Sequence, residues 1–139
     1  MRIISHRGNT NGPNPSLENY PRRVLDLINS KIDVEIDVWL NNGHFYLGHD
    51  CAQYRVDKDF LKFNGLWCHA KNLQALEKLI ELKTVCFWHQ SDDFSLTSNG
   101  LIWTFPNKPT CSKSVIVDVS KDWRNKNYNC YGICVDFLN

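Results

Sequence analysis

A chain of 139 residues, 42% of them hydrophobic, fits one compact domain over residues 1–139 and can bury a core without disulfide or metal staples. Sixteen basic against fifteen acidic residues leave a formal charge of +1, which excludes a strong overall field toward nucleic acid or an anionic membrane, so any anion must be captured locally. Met1 to His6 holds only two consecutive apolar residues, and no segment nears the roughly 20 of a membrane span, so a cytoplasmic chain with no stable membrane insertion is expected.

Arg2 to Ser5 is a short apolar run, predicted as a strand that delivers His6-Arg7-Gly8 to a loop rich in Asn, Gly and Pro, residues 9–15. Asn19 reads as an N-cap with Pro21 in the first turn, and Val24, Leu25, Leu27 and Ile28 give the following helix its apolar face. From Asp33 to Leu40 the chain alternates. Val34, Ile36 and Val38 fall on one side of a strand, and Glu35, Asp37 and Trp39 on the other. Asn41-Asn42-Gly43 signals a turn, after which His44–Leu47 returns as a strand ending at Gly48-His49-Asp50.

Residues 65–70 read as a buried strand, followed by Asn72 as a cap and a helix on Leu73, Leu76, Leu79 and Ile80. Residues 84–88, 101–104, 115–119 and 132–137 are further β-branched or aromatic runs. Strands alternating with crossovers predict an α/β fold: a compact (β/α) barrel with reduced helices and seven or eight short parallel strands, or an open doubly wound sheet. Barrels of this kind usually take roughly 250 residues, so loops would have to replace several helices. Cys51, Cys68, Cys86, Cys111, Cys130 and Cys134 are scattered without zinc spacing and read as structural thiols in a reducing compartment.

Polar groups gather where strands end: His6-Arg7-Gly8, Glu35-x-Asp37, Gly48-His49-Asp50 and His69-Ala70-Lys71. Glu35 and Asp37 on one strand face offer hard oxygen ligands to a divalent cation, Mg²⁺ or Ca²⁺. His6 and His49 suit a general acid/base pair, because imidazole titrates near neutral pH. Arg7 and Lys71 supply fixed positive charge for phosphoryl oxygens. Each motif alone has a plainer reading: a strand-end histidine is usually a surface residue, and Glu-x-Asp is usually a solvated face.

Taken in order, His6-Arg7-Gly8, Glu18-Asn19, Glu35-Ile36-Asp37 and Gly48-His49-Asp50 resemble the N-terminal signature of glycerophosphodiester phosphodiesterases, which share a TIM-barrel superfamily with phosphatidylinositol-specific phospholipases C and spider-venom sphingomyelinases D. The resemblance implies a TIM-like barrel, His6 and His49 as the catalytic pair, Arg7 on phosphate, Glu35 and Asp37 as metal ligands, and Glu18 in support. The family's Glu-x-Lys strand is matched by His69-Ala70-Lys71, so Lys71 falls on the phosphate-binding lysine. His69 stands where the family has its third carboxylate. Imidazole opens the site to Mn²⁺ or Zn²⁺. Residues 132–137 are similar to the family's last strand, and the segment between Lys71 and Gly132 is much shorter than in typical members.

Asp50, His89 and Trp103 are expected around the substrate, the latter two as part of its wall, although a buried aromatic is more often core. The expected function is metal-dependent hydrolysis of a small phosphodiester, with no nucleic-acid partner, since no basic aromatic-lined groove is legible. Two rivals are a non-catalytic phosphate- and metal-binding barrel and a phospholipase D-like lyase acting on lysophospholipids.

Overall fold

Strand β1 (Arg2–His6) lies in the middle of the sheet in the computed structural model, which describes residues 1–139. It pairs in parallel with β2 (Asp33–Asn41) on one side and, at the far end of the sequence, with β10 (Gly132–Val135) on the other. Helix α1 (Pro21–Asn29) crosses from β1 to β2. Beyond Glu35, β2 outruns β1, and its last residues take an antiparallel partner instead, β3 (His44–Leu47), which pairs in turn with β4 (Tyr54–Val56).

On its other edge β2 pairs in parallel with β5 (Leu66–Ala70), and helix α2 (Leu73–Glu81) leads from there to the two-residue β6 (Cys86–Phe87). β7 (Phe94–Leu96) folds back antiparallel on β8 (Ile102–Thr104), and β8 joins β10 through the parallel strand β9 (Ser114–Val117). All ten strands belong to one sheet, in which the parallel path runs β6-β5-β2-β1-β10-β9-β8. β6 does not pair with the β7–β8 hairpin. Ser98, just past β7, is tied to β6 instead: its N–H donates to the Cys86 carbonyl at 2.8 Å, and its hydroxyl accepts from the Cys86 N–H at 2.9 Å.

The architecture therefore corrects the expectation of a compact (β/α) barrel with reduced helices and seven or eight short parallel strands. The sheet is a curled, mixed half-barrel with antiparallel pairs and only two α-helices of nine residues each. The reason lies in the later crossovers. From Phe105 to Lys113 the chain carries two prolines and no apolar helical period, and from Asp118 to Tyr131 it forms only a single 3-10 turn at Trp123–Asn125. Neither segment can build a helix to cover the sheet. No helix is long and apolar enough to cross a membrane.

The alternation in β2 divides two apolar layers. Val34, Ile36 and Val38 pack outward against Val24 and Leu27 of α1 and Ala75 and Leu79 of α2. Inside the curl, Ile4, Trp67, Phe87, Trp103, Val115 and Cys134 form a second core. Phe87 stacks on Trp103 at 4.3 Å between ring centroids, filling the space beside the unpaired strands. This apolar plug is the floor on which the polar groups of β1, β2 and β5 stand.

Asn72 caps α2 as its sequence predicts, accepting the Ala75 N–H at 3.0 Å. Asn19 does not cap α1. Tyr20 occupies that position without a side-chain bond, and Pro21 starts the helix. Asn19 adopts a left-handed backbone (φ 59) and is buried, turned toward β2. Its amide can satisfy both a carboxylate and a main-chain N–H there, which outweighs the single N–H that a cap would have satisfied.

Candidate functional site

The C-terminal ends of β1, β2 and β5 lie at one edge of the curl, and the strand register sets Asp37 beside His69 and His6 beside Glu35. A cavity of about 380 Å³ opens there. Its polar side is lined by His6, Arg7, Glu35, His49, His69 and Lys71, and its apolar side by Trp103, Phe105, Pro106, Val117 and Val119. His89 and Gln90 sit between the two. Of the residues expected at the site, Asp50 lies apart, with its side chain 93% exposed and paired only with His49.

Glu35, Asp37 and His69 bring one ligand atom each within 4.8 Å of one another. Both carboxylates are buried, at 2% and 1% exposure, and Glu35 Oε2 and Asp37 Oδ1 have no hydrogen-bond partner. Orphaned carboxylate oxygens at this depth are costly unless something positive meets them. His69 Nδ1 stands 3.1 Å from Asp37 Oδ1 and 3.9 Å from Glu35 Oε1, close enough for an ion pair but out of line for a hydrogen bond to Asp37. The residues thus fit a divalent cation in donor type, spacing and unmet charge.

The two carboxylates titrate in opposite directions. Burial and the neighbouring Asp37 charge push Glu35 above the usual carboxylate range, only partly offset by His6, His69 and Arg7. Burial also opposes ionisation of Asp37, but contact with His69, the Arg7 charge and the Asn19 amide outweigh it and hold Asp37 low. Asn19 grips Asp37 twice, donating from Nδ2 to Oδ2 at 2.9 Å and accepting the Asp37 N–H at 2.8 Å. Arg7 Nε stands 3.5 Å from the same Oδ2, and Lys71 Nζ 4.0 Å from Oδ1.

His6 donates from Nδ1 to Asp136 Oδ1 at 2.8 Å, so in the neutral ring the lone pair is on Nε2, which lies 4.0 Å from Glu35 Oε2. Burial alone would lower the His6 pKa, but the Asp136 bond and the Glu35 charge more than compensate and hold it above the ordinary imidazole value. Asn9 donates to the same Asp136 oxygen at 2.8 Å and to Glu18 at 3.0 Å. Glu18 in turn pairs with Arg7 at 3.4 Å, behind the cavity. Arg7 is itself left-handed (φ 56), a conformation that costs energy in a non-glycine residue and is held by bonds to the Glu35 carbonyl and the Asn19 N–H.

His49 reaches the cavity from the loop after β3, with its side chain 40% exposed and Nδ1 bonded to Asp50 at 2.7 Å. Trp39 ties that loop to β2, donating from its indole to the Gly48 carbonyl at 2.7 Å. The His89 ring, also lining the cavity, contacts Ser95, and burial together with nearby His69 keeps its pKa below the ordinary value.

Asn9 and Asp136 are site residues that sequence reasoning missed, and for Asn19 it had the Glu18-Asn19 motif but not the grip on Asp37. Asn9 reads as ordinary loop and Asn19 as a helix cap. Asp136 carried a usable signal, an acid directly after a buried strand, but nothing local assigns it to His6, 130 residues away. No protein-family model, no curated protein and no solved structure matches the chain.

Proposed function

We propose that the chain hydrolyses phosphodiesters with the help of a divalent cation, as the motif order resembling glycerophosphodiester phosphodiesterases implies. The observation that carries this reading is the meeting of two imidazoles, His6 and His49, in one cavity with a buried Glu-Asp-His set whose oxygens lack partners. Glu35, Asp37 and His69 would hold the cation, and when bound it supplies Lewis-acid stabilisation of phosphoryl charge.

The remaining work falls to the chain's own side chains. Arg7 and Lys71, both lining the cavity, neutralise the phosphate oxygens. His6, with Nδ1 committed to Asp136, takes the proton of the attacking hydroxyl on Nε2. His49, nearer solvent, returns a proton to the leaving alkoxide, so the pair ends each cycle exchanged in charge and resets through water. Six free thiols fit a reducing compartment such as the cytoplasm.

The test is hydrolysis of glycerophosphodiesters and bis-p-nitrophenyl phosphate by the full chain. His6→Ala and His49→Ala are each expected to lose about 100-fold or more of turnover with circular dichroism unchanged, and chelation is expected to abolish activity. Near-normal turnover in either variant would sink the reading. The apolar wall of Trp103, Phe105, Pro106, Val117 and Val119 favours a second one, cleavage of a lysophospholipid in phospholipase D-like fashion, and identification of the released products separates the two.

A further inference from the structure

The nitrogen that His69 turns away from the carboxylates decides what the cluster can hold. His69 Nε2 lies 2.8 Å from the main-chain carbonyl of His89. A carbonyl only accepts, so Nε2 carries the hydrogen and the neutral ring presents a lone pair at Nδ1. Nδ1 stands 3.1 Å from Asp37 Oδ1 and 3.9 Å from Glu35 Oε1 without being aligned on the Asp37 oxygen. A metal-ligating histidine is held this way, with its second nitrogen donating to a carbonyl or carboxylate behind it. Two ligands each about 2.1 Å from one ion and near a right angle stand about 3 Å apart, which the Nδ1 to Oδ1 separation matches.

We infer that Glu35, Asp37 and His69 select a first-row transition cation of the Mn²⁺, Co²⁺ or Zn²⁺ class over Mg²⁺ and Ca²⁺, with the His89 carbonyl setting that choice by fixing the His69 tautomer. The inference rests on the metal-assisted reading and sharpens it. Imidazole is a borderline donor that binds these cations well, whereas Mg²⁺ and Ca²⁺ take oxygen. Oxygen is scarce here. Asp37 Oδ2 is occupied by the Asn19 amide at 2.9 Å and faced by Arg7 at 3.5 Å, so Asp37 offers one oxygen and cannot chelate through both. Ca²⁺ needs six to eight oxygens, which two carboxylates in this arrangement do not provide.

The full chain, stripped of metal, would be titrated with MnCl₂, CoCl₂, MgCl₂ and CaCl₂ by calorimetry and thermal unfolding, with the visible spectrum recorded for Co²⁺. One equivalent of Mn²⁺ or Co²⁺ is expected to bind at least tenfold more tightly than Mg²⁺ or Ca²⁺. The Co²⁺ complex should lack the near-ultraviolet thiolate band that capture by a cysteine would give. His69→Glu should reverse the order of preference, and His69→Gln should remove it if the glutamate variant fails to fold. Equal affinity of the wild-type chain for Mg²⁺ and Mn²⁺, or a thiolate band, overturns the inference while leaving metal-assisted hydrolysis standing. Binding of no cation by the folded chain overturns both.

Discussion

Asp118 follows β9 with a carboxylate that accepts from Ser120, Lys126 and Tyr128. Burial opposes its ionisation, but these donors prevail and bring its pKa down to about 2. A carboxylate whose pKa is lower folded than unfolded adds stability above its unfolded value of about 4, and that stability is lost as the pH falls from about 4 to about 2. Asp118→Asn is therefore expected to cost on the order of 1–2 kcal/mol at pH 7, with the gap from wild type closing over that acid range in denaturant titrations. A gap of constant size down to pH 2 would contradict the assignment. At this scale the sequence spoke clearly wherever a side chain's role follows from its own strand. Glu35 and Asp37 share a face because residues two apart in a strand must do so. The partners of those groups were silent, since the bonds of Asn9 and Asp136 to the site are set by how distant strands meet.

The hairpin of β2 and β3 and the loop beyond it form the element that presents His49. Its turn was legible: Asn42 (φ 51) and Gly43 (φ 78) both take the left-handed backbone that an Asn-Gly pair favours. Gly48 has φ 155, and a Cβ there would collide with the Cys51 carbonyl. Gly48→Ala is thus expected to destabilise the chain by about 1–3 kcal/mol and to lower turnover by displacing His49, measured as Tm and kcat side by side. Unchanged kcat and Tm would show that the loop tolerates the methyl group. β4 and β7 escaped sequence reasoning for a common reason. Each is three residues long, too short to show an alternation: β4 turns only Tyr54 and Val56 toward the core, and β7 leaves Phe94 and Leu96 exposed.

Curling the sheet without sealing it leaves a seam where β6 does not pair with the β7–β8 hairpin, and the sequence gives no sign of it because closure depends on helices that the later crossovers cannot form. Ser98→Ala would remove the hydroxyl that accepts the Cys86 N–H, at a cost of about 1 kcal/mol, and should speed hydrogen exchange at the Cys86 amide more than at Ile36. Equal acceleration at both amides would mean that the seam does not open on its own. The placement of β1 has a different outcome. β1 precedes every other strand of the sheet yet must wait for β10 before both its edges are paired, and His6 cannot meet Asp136 until residue 136 has been translated. The pairing behind His6 is thus completed only after all the other strands of the sheet have been made, and a nascent chain halted before residue 132 would carry Glu35, Asp37 and His69 while its first imidazole still lacked a carboxylate behind it.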